Sequence, residues 1–361
     1  MSEISINKND SFFMKRAIFL AKKAVGMTSP NPIVGAVIVK NGVIIGEGYH
    51  RKCGESHAEI NAINSVLQNF PNGAIHESTI YVTLEPCSTF GRTPPCVNSL
   101  IENKLTRVVI GNLDPNPLHA GKAVSILNSH GIAVSIEVEK EHCFELNEAF
   151  YKWIVAKSPF LILKMAMTLD GKIAASNGES KWITGEKARK RVQELRKWSD
   201  AIMIGGKTFT VDRPSLSVRN NKNEPLKSWK QPLRIICSSK ISKEDLNSYY
   251  PDGNFLLINA KTKEEWMNHL ALLGNMNITS ILVEGGGRLA DELLHYGLID
   301  KIEFHIAPKL LGCFNSVPVI GGSTPRILRD MVNVHGVKIK QYGNDICITG
   351  YPKIKSCKVS I

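Results

Sequence analysis

Two periodicities alternate along this chain. Phe13, Ala17, Leu20, Ala21 and Ala24 recur at helical spacing and stop at Gly26, a residue type that closes helices because it accepts a left-handed backbone. Segments 34–39 and 43–48 follow, flanking Asn41-Gly42, and this dipeptide between them predicts a tight hairpin. A helix is expected over 57–67, buried strands over 79–84 and 107–111, and a short helical segment over 96–103 between them. Residues 121–129 and 140–155 read as helices separated by a strand at 132–138. Such alternation calls for a layered α/β domain.

The pattern restarts at Lys157-Ser158-Pro159, where proline ends a helical stretch and a new apolar strand, 160–165, begins. Two domains are therefore expected, 1–156 and 157–361, as a length of 361 residues also suggests. In the second, Thr184 is placed to cap a helix running to Lys197, and 201–204 and 281–284 read as strands leading into glycines. No repeat or low-complexity tract interrupts either half.

Composition adds bounds. An apolar fraction of 43% with 22% charged residues is that of a globular protein. No stretch approaches the roughly 20 apolar residues of a membrane span. Lys15, Arg16, Lys22 and Lys23 interrupt the N-terminal apolar segment, unlike a secretory signal, so a cytoplasmic protein is expected. In that compartment the eight cysteines should be thiols or metal ligands. A net charge of +12 suits an anionic ligand such as a phosphorylated metabolite, a dinucleotide or a nucleic acid, and equally a solvated lysine-rich surface.

The chemistry concentrates in two segments. His57-Ala58-Glu59 opens a helix, while Leu84-Glu85-Pro86-Cys87 ends a strand, with Cys96 nine residues later. One imidazole and two thiolates suit a catalytic zinc, which keeps a fourth position for water. In zinc deaminases H-x-E precedes P-C-x-x-C, and the Glu carries protons without binding metal. Here eight residues separate the cysteines instead of two. Plainer readings exist: Ser56 and Glu59 form a capping-box pattern, His50 with Cys53 is a rival cluster, and Cys87 and Cys96 could be inert thiols. The ordered combination favours His57, Cys87 and Cys96 as ligands and Glu59 as the catalytic proton carrier. Cys143, Cys237, Cys313, Cys347 and Cys357 lack ligand spacing and read as packing residues.

Residues 28–37 (T-S-P-N-P-I-V-G-A-V), G-E-G-Y-H to His50, H-A-E, and T-L-E-P-C-x8-C within G-R-T-P-P-C together resemble the RibD (RibG) family, the bifunctional deaminase-reductases of riboflavin biosynthesis. The long Cys spacing is that family's own. The resemblance implies an N-terminal cytidine-deaminase-like α/β/α domain that removes the 2-amino group from 2,5-diamino-6-ribosylamino-4(3H)-pyrimidinone 5′-phosphate. It makes Asn31, His50 and Arg92 substrate contacts. One departure stands out: Thr89 occupies a position where the family commonly has His.

Leu163–Lys172 (L-K-M-A-M-T-L-D-G-K), S-K-W-I-T at 180–184 and V-E-G-G-G at 283–287 resemble the same family's second half. That implies a dihydrofolate-reductase-like α/β domain using NADPH to convert the ribosyl chain to ribityl. Matching positions give Ala166, Trp182, Thr208, Asp212, Ser239, Gly285, Gly286, Gly287, Arg288 and Leu289 as NADPH contacts. Ser180, Arg196, Leu216, Arg219 and Glu284 are the implied contacts to the sugar phosphate. Read alone, the glycine run is not G-x-G-x-x-G, and Trp182, Leu216 and Ala166 could be core residues. Homo-oligomerisation is a further implication of the resemblance, with no nucleic-acid or membrane partner. The rival readings are a nucleic-acid zinc deaminase with an accessory domain, and a basic RNA-binding protein without catalysis.

Overall fold

A computed structural model describes residues 8–90, 94–116, 119–220, 222–322 and 327–353. The chain divides into two compact units, Met1–Lys157 and Ser158–Ile361.

The first unit contains α1 (Lys8–Ala21), β1 (Gly35–Lys40), β2 (Val43–Tyr49), α2 (Ala58–Asn69), β3 (Thr79–Leu84), α3 (Cys96–Glu102), β4 (Arg107–Asn112), α4 (Lys122–Ser129), β5 (Ala133–Ser135), α5 (Lys140–Leu146) and α6 (Glu148–Ala156). Asn41 and Gly42 both take positive φ, 51° and 77°, making the tight β1–β2 turn that the dipeptide forecast. The sheet order is β2-β1-β3-β4-β5, with β1 antiparallel to both neighbours and β3, β4 and β5 parallel. Alternation along β1 sends Ala36 and Ile38 into a core shared with α2, α3 and α4. Val37 and Val39 enter a second core under α1 and α5. Helices thus cover both faces of the sheet, the expected α/β/α sandwich.

Two expectations for this unit are corrected. The single helix over 140–155 is two helices, because the Asn147 side chain leaves the helical path to serve the Ile33 backbone. It accepts from the Ile33 N–H at 2.7 Å and donates to the Ile33 carbonyl at 2.8 Å. The strand expected at 132–138 shrinks to β5, since Glu137 and Glu139 adopt φ of 65° and 56°, outside the β region.

The second unit contains β6 (Phe160–Thr168), β7 (Lys172–Ala174), α7 (Glu186–Trp198), β8 (Ala201–Gly205), α8 (Gly206–Asp212), β9 (Leu233–Cys237), α9 (Lys243–Tyr249), β10 (Phe255–Ile258), α10 (Lys263–Asn275), β11 (Ser280–Glu284), α11 (Gly287–His295), β12 (Lys301–Ala307), β13 (Val317–Pro318), β14 (Asn333–Tyr342) and β15 (Asp345–Lys353). Eight strands form one sheet, ordered β10-β9-β8-β11-β6-β12-β15-β14. The first six are mutually parallel and the last two add as an antiparallel hairpin. Leu161, Leu163, Val283 and Met203 on these parallel strands pack with Leu270 and Leu273 of α10 and Leu293 of α11 in one buried core.

Thr184 does not cap α7. Gly185 is the capping residue, and no side chain closes that terminus from within the helix. The Asp345 carboxylate accepts the Gly185 N–H at 2.7 Å, while Thr184 is buried with its carbonyl accepting from Arg189. A carboxylate from a strand 160 residues away thus does the work expected of the local hydroxyl.

Candidate active sites

In the first unit, α2 begins where β2 has turned back, and His57 is its capping residue, with extended backbone and no capping bond from its side chain. The ring is thereby released sideways. Cys87 lies three residues beyond the end of β3 and Cys96 is the first residue of α3. His57 Nδ1 is 3.3 Å from Cys96 Sγ and 3.5 Å from Cys87 Sγ, and the Cys96 N–H donates to Cys87 Sγ at 3.2 Å. The three donor atoms lie within 4.8 Å of one another. Metal–ligand bonds of about 2.0 Å to nitrogen and 2.3 Å to sulfur in a tetrahedron need separations of this order, so the donor set fits zinc. The hydrogen bond with Cys87 raises the His57 imidazole to about 9, and sharing of a proton with Cys96 and then His57 holds the Cys87 thiol down at about 4. The Cys96 thiol is correspondingly pushed up. Two thiols and an imidazole that compete for protons this closely are what a cation would replace.

Glu59 stands in the first turn of α2 and is 3% exposed. Burial pushes its carboxyl up to about 7, against the pull of His57. The capping-box reading fails, because His57, not Ser56, is the capping residue of α2 and no side chain caps that terminus. A buried carboxyl beside a metal set, with a pKa near neutrality, suits proton transfer. Asn31 and His50 meet at 3.2 Å, and His50 Nδ1 is 3.1 Å from the Ser56 carbonyl. The His50 and His57 rings are edge to face at 5.4 Å, which places this pair beside the metal set. His50 thus serves the Asn31 side of the pocket, and Cys53, exposed, joins no metal-ligating group among the described residues. Arg92 lies outside the described residues. Thr89 is exposed, its hydroxyl 3.4 Å from His119 Nδ1, a residue the sequence reading did not single out.

A second group of donors, Glu303, His305 and Cys347, is buried in the other unit. Its carboxylate already accepts Arg191 in a two-bond pair at 2.9 and 3.0 Å and His305 Nε2 at 3.0 Å. A fixed guanidinium on the would-be ligand marks an internal ion pair, not a metal centre.

The second unit opens a cavity of about 2150 Å³ at the carboxyl ends of its parallel strands. That is the end at which open α/β sheets bind ligands, and the volume exceeds the roughly 300–1,000 Å³ of a single small-molecule pocket. Ala166, Trp182, Thr208, Asp212, Ser239 and the 285–289 loop all line it. So do Ser180, Arg196, Leu216, Arg219 and Glu284. Gly285 and Gly286 have φ of 82° and 86°, and a Cβ on Gly287 would meet the Pro318 carbonyl oxygen at 2.7 Å. Only glycine fits there, and the resulting bare backbone begins α11 with free N–H groups. Trp182 is 66% exposed, so the core reading fails for it, whereas Leu216 at 2% exposure is packed.

Arg196 is held in place by a partner on another element. Its guanidinium donates to both Glu284 oxygens at 2.7 Å and to the Ser217 carbonyl at 3.0 Å, all within hydrogen-bonding range. Burial alone would raise the Glu284 carboxyl, but Arg196 holds it below the usual range. In the cavity wall its charge faces Glu284. Arg219 is different: among the described residues its guanidinium bonds to the hydroxyls of Ser215 and Ser217 and to the Asn223 amide oxygen. Sequence reasoning also missed Lys164. It lines the cavity on β6, in register with Glu284 on one side and Glu303 on the other, and burial lowers its ammonium pKa.

Fold and donor set together define a zinc-type pyrimidine deaminase unit joined in one chain to an α/β reductase unit. Residues 7–112 match the cytidine and deoxycytidylate deaminase zinc-binding region, and 159–348 match the RibD C-terminal domain. The riboflavin biosynthesis protein RibD of Actinobacillus pleuropneumoniae is 40% identical over 94% of both chains. That of Escherichia coli is 37% identical over 94% of this chain and 98% of its own. The solved structure of Acinetobacter baumannii RibD superposes with a TM-score of 0.83 at 33% identity, covering 96% of this chain and 99% of that one. A deaminase/reductase structure from Thermotoga maritima gives 0.80 at 34%, with the same coverage. The chain belongs to the RibD family of riboflavin biosynthesis proteins. Among the described residues no helix is long and apolar enough to cross a membrane.

Proposed function

We propose that the Met1–Lys157 unit hydrolyses the 2-amino group of 2,5-diamino-6-ribosylamino-4(3H)-pyrimidinone 5′-phosphate, and that the Ser158–Ile361 unit then reduces the ribosyl chain with NADPH. The product is 5-amino-6-ribitylamino-uracil 5′-phosphate. The observation that carries this reading is the convergence of His57, Cys87 and Cys96 beside a buried Glu59.

His57, Cys87 and Cys96 would hold zinc, which when bound makes water acidic enough to act as a nucleophile near neutral pH. Glu59 takes a proton from the attacking water and delivers it to the departing amine, so ammonia leaves as the carbonyl forms. Asn31 offers an amide donor and acceptor to the pyrimidine edge, with His50 fixing its orientation. Arg92 serves the phosphate.

In the second unit the 285–289 loop, Ala166, Trp182, Thr208, Asp212 and Ser239 would hold NADPH, which when bound would supply hydride to C1′ of the ribosylamino group. As the C1′–ring-oxygen bond opens, the ring oxygen takes a proton. Lys164 is the acid placed for that proton, its pKa lowered by burial and its ammonium flanked by Glu284. Arg219, with Ser180 and the packed Leu216, receives the sugar phosphate; Arg196 acts by holding Glu284. Both reactions are placed in the cytoplasm, where free thiols such as Cys87 and Cys96 persist, and homo-oligomeric assembly is carried over from the family.

The test is sequential. Zinc-loaded protein is given the diaminopyrimidine ribosyl phosphate, ammonia is followed to completion, and NADPH is then added. Ammonia release followed by NADPH oxidation is expected. Tight, salt-dependent RNA binding by metal-free protein with no ammonia release would favour the RNA-binding reading instead.

A further inference from the structure

Glu85, buried at the end of β3 and two residues before Cys87, spends its carboxylate on backbone. It accepts the N–H groups of Asp114, Gly121 and Ala123 at 3.1, 3.0 and 3.0 Å. Three charge-assisted bonds of this kind pin the segment that follows β4 against the turn bearing the metal ligand. His119 belongs to that segment, between the Asp114 and Gly121 N–H groups that Glu85 holds.

From there the half-buried His119 ring reaches back to the exposed Thr89, Nδ1 to Oγ1 at 3.4 Å. Position 89 carries no imidazole of its own, and this contact brings one beside it. The Thr89 hydroxyl can donate to or accept from Nδ1, so it fixes the ring in either tautomer. Among the described residues, Nε2 has no hydrogen-bond partner. With Asn31 and His50 assigned to the base, Nε2 is left for the substrate's anionic end.

We propose that His119 is a substrate-binding residue of the deaminase site, that Thr89 orients its ring, and that its Nε2 holds a phosphate oxygen of the substrate. This rests on the deaminase reading above.

The experiment measures ammonia release by the full-length, zinc-loaded protein with the diaminopyrimidine ribosyl phosphate and with its dephosphorylated form. His119→Ala is expected to raise KM for the phosphorylated substrate about tenfold, with kcat within about twofold, the loss of one hydrogen bond to a charged group. KM for the dephosphorylated form should be the same in both proteins, and zinc content unchanged. Thr89→His introduced into the His119→Ala protein should bring KM back to within about threefold of the parent, because the two positions are in contact. A merely structural His119 would not show rescue from position 89. KM unchanged in His119→Ala, an equal rise with both substrates, or no recovery in the double variant overturns the proposal while leaving the deaminase reading intact. No ammonia release by the parent protein overturns both.

Discussion

Arg196 on α7 and Glu284 at the end of β11 face each other with both carboxylate oxygens at 2.7 Å from the guanidinium, in the wall of the reductase cavity. A buried cation locked to a carboxylate contributes shape, whereas its neighbour Arg219, bonded to neutral groups, contributes charge. The two arginines should separate experimentally. Arg196→Gln should lower unfolding stability by about 3–5 kcal/mol, the cost of leaving one partner of a buried pair alone. Arg219→Gln should leave stability nearly unchanged and raise KM for the deaminated phosphate about 10–100-fold, from the loss of one or two charge-assisted bonds. Thermal unfolding and NADPH-oxidation kinetics on both variants check this, and the reverse pattern would return Arg196 to the phosphate.

Glu59→Gln keeps the shape and burial of the side chain but removes its titrating oxygen. Ammonia release should fall by about 10²–10⁴, the usual contribution of a positioned acid–base group. Zinc content should not change, since Glu59 belongs to no donor set of three, and reduction of the deaminated intermediate should continue. Loss of bound zinc, read by atomic absorption, would instead make Glu59 a ligand.

Zinc uptake should be proton-coupled with a definite sign. In the metal-free protein His57 is raised to about 9 and the Cys96 thiol is also raised, so both must shed protons before binding. Apparent affinity should therefore rise with pH between about 6 and 8, and mixing zinc with the apoprotein should release protons. A chelator should abolish ammonia release while NADPH oxidation on the deaminated intermediate persists. An affinity flat over that range would show that the ligands are already deprotonated without metal.

Glu303 provides a stability signature in the reductase unit. Burial alone would raise its carboxyl, but His305 and Arg191 hold it down at about 2, against an ordinary value of 4.5. A depressed folded pKa means stability that is present above the unfolded value and lost as pH falls from about 4.5 toward 2. Glu303→Gln should cost about 3 kcal/mol or more near neutrality and flatten that acid-side loss. Unfolding midpoints of both proteins across this range test it; identical pH profiles would show that the carboxylate is not what titrates.

Much of this was readable in the chain because it is local. Asn41-Gly42 needs only two left-handed backbones to form its turn, and alternation along 34–39 already assigns residues to the two faces of β1. His57 and Glu59, two apart at a helix start, and the Pro86-Cys87 strand end were legible as ligands and proton carrier because each sits at the terminus of an element that periodicity locates. The long Cys87-to-Cys96 interval, irregular against the general deaminase pattern, became informative through the family it resembles.

What the sequence could not fix depends on groups far apart in it. Asn147 breaks a helix whose local propensity runs on, because its amide meets Ile33 across 114 positions. Arg196 pairs with Glu284, 88 residues on, which no local pattern announces. The absence of His at 89 looks like a loss until His119 is found beside it. Periodicity and spacing determine which elements form and which residue types stand at their ends. Which polar group satisfies which is decided by packing, since every buried donor and charge must find its partner wherever the folded chain has put one.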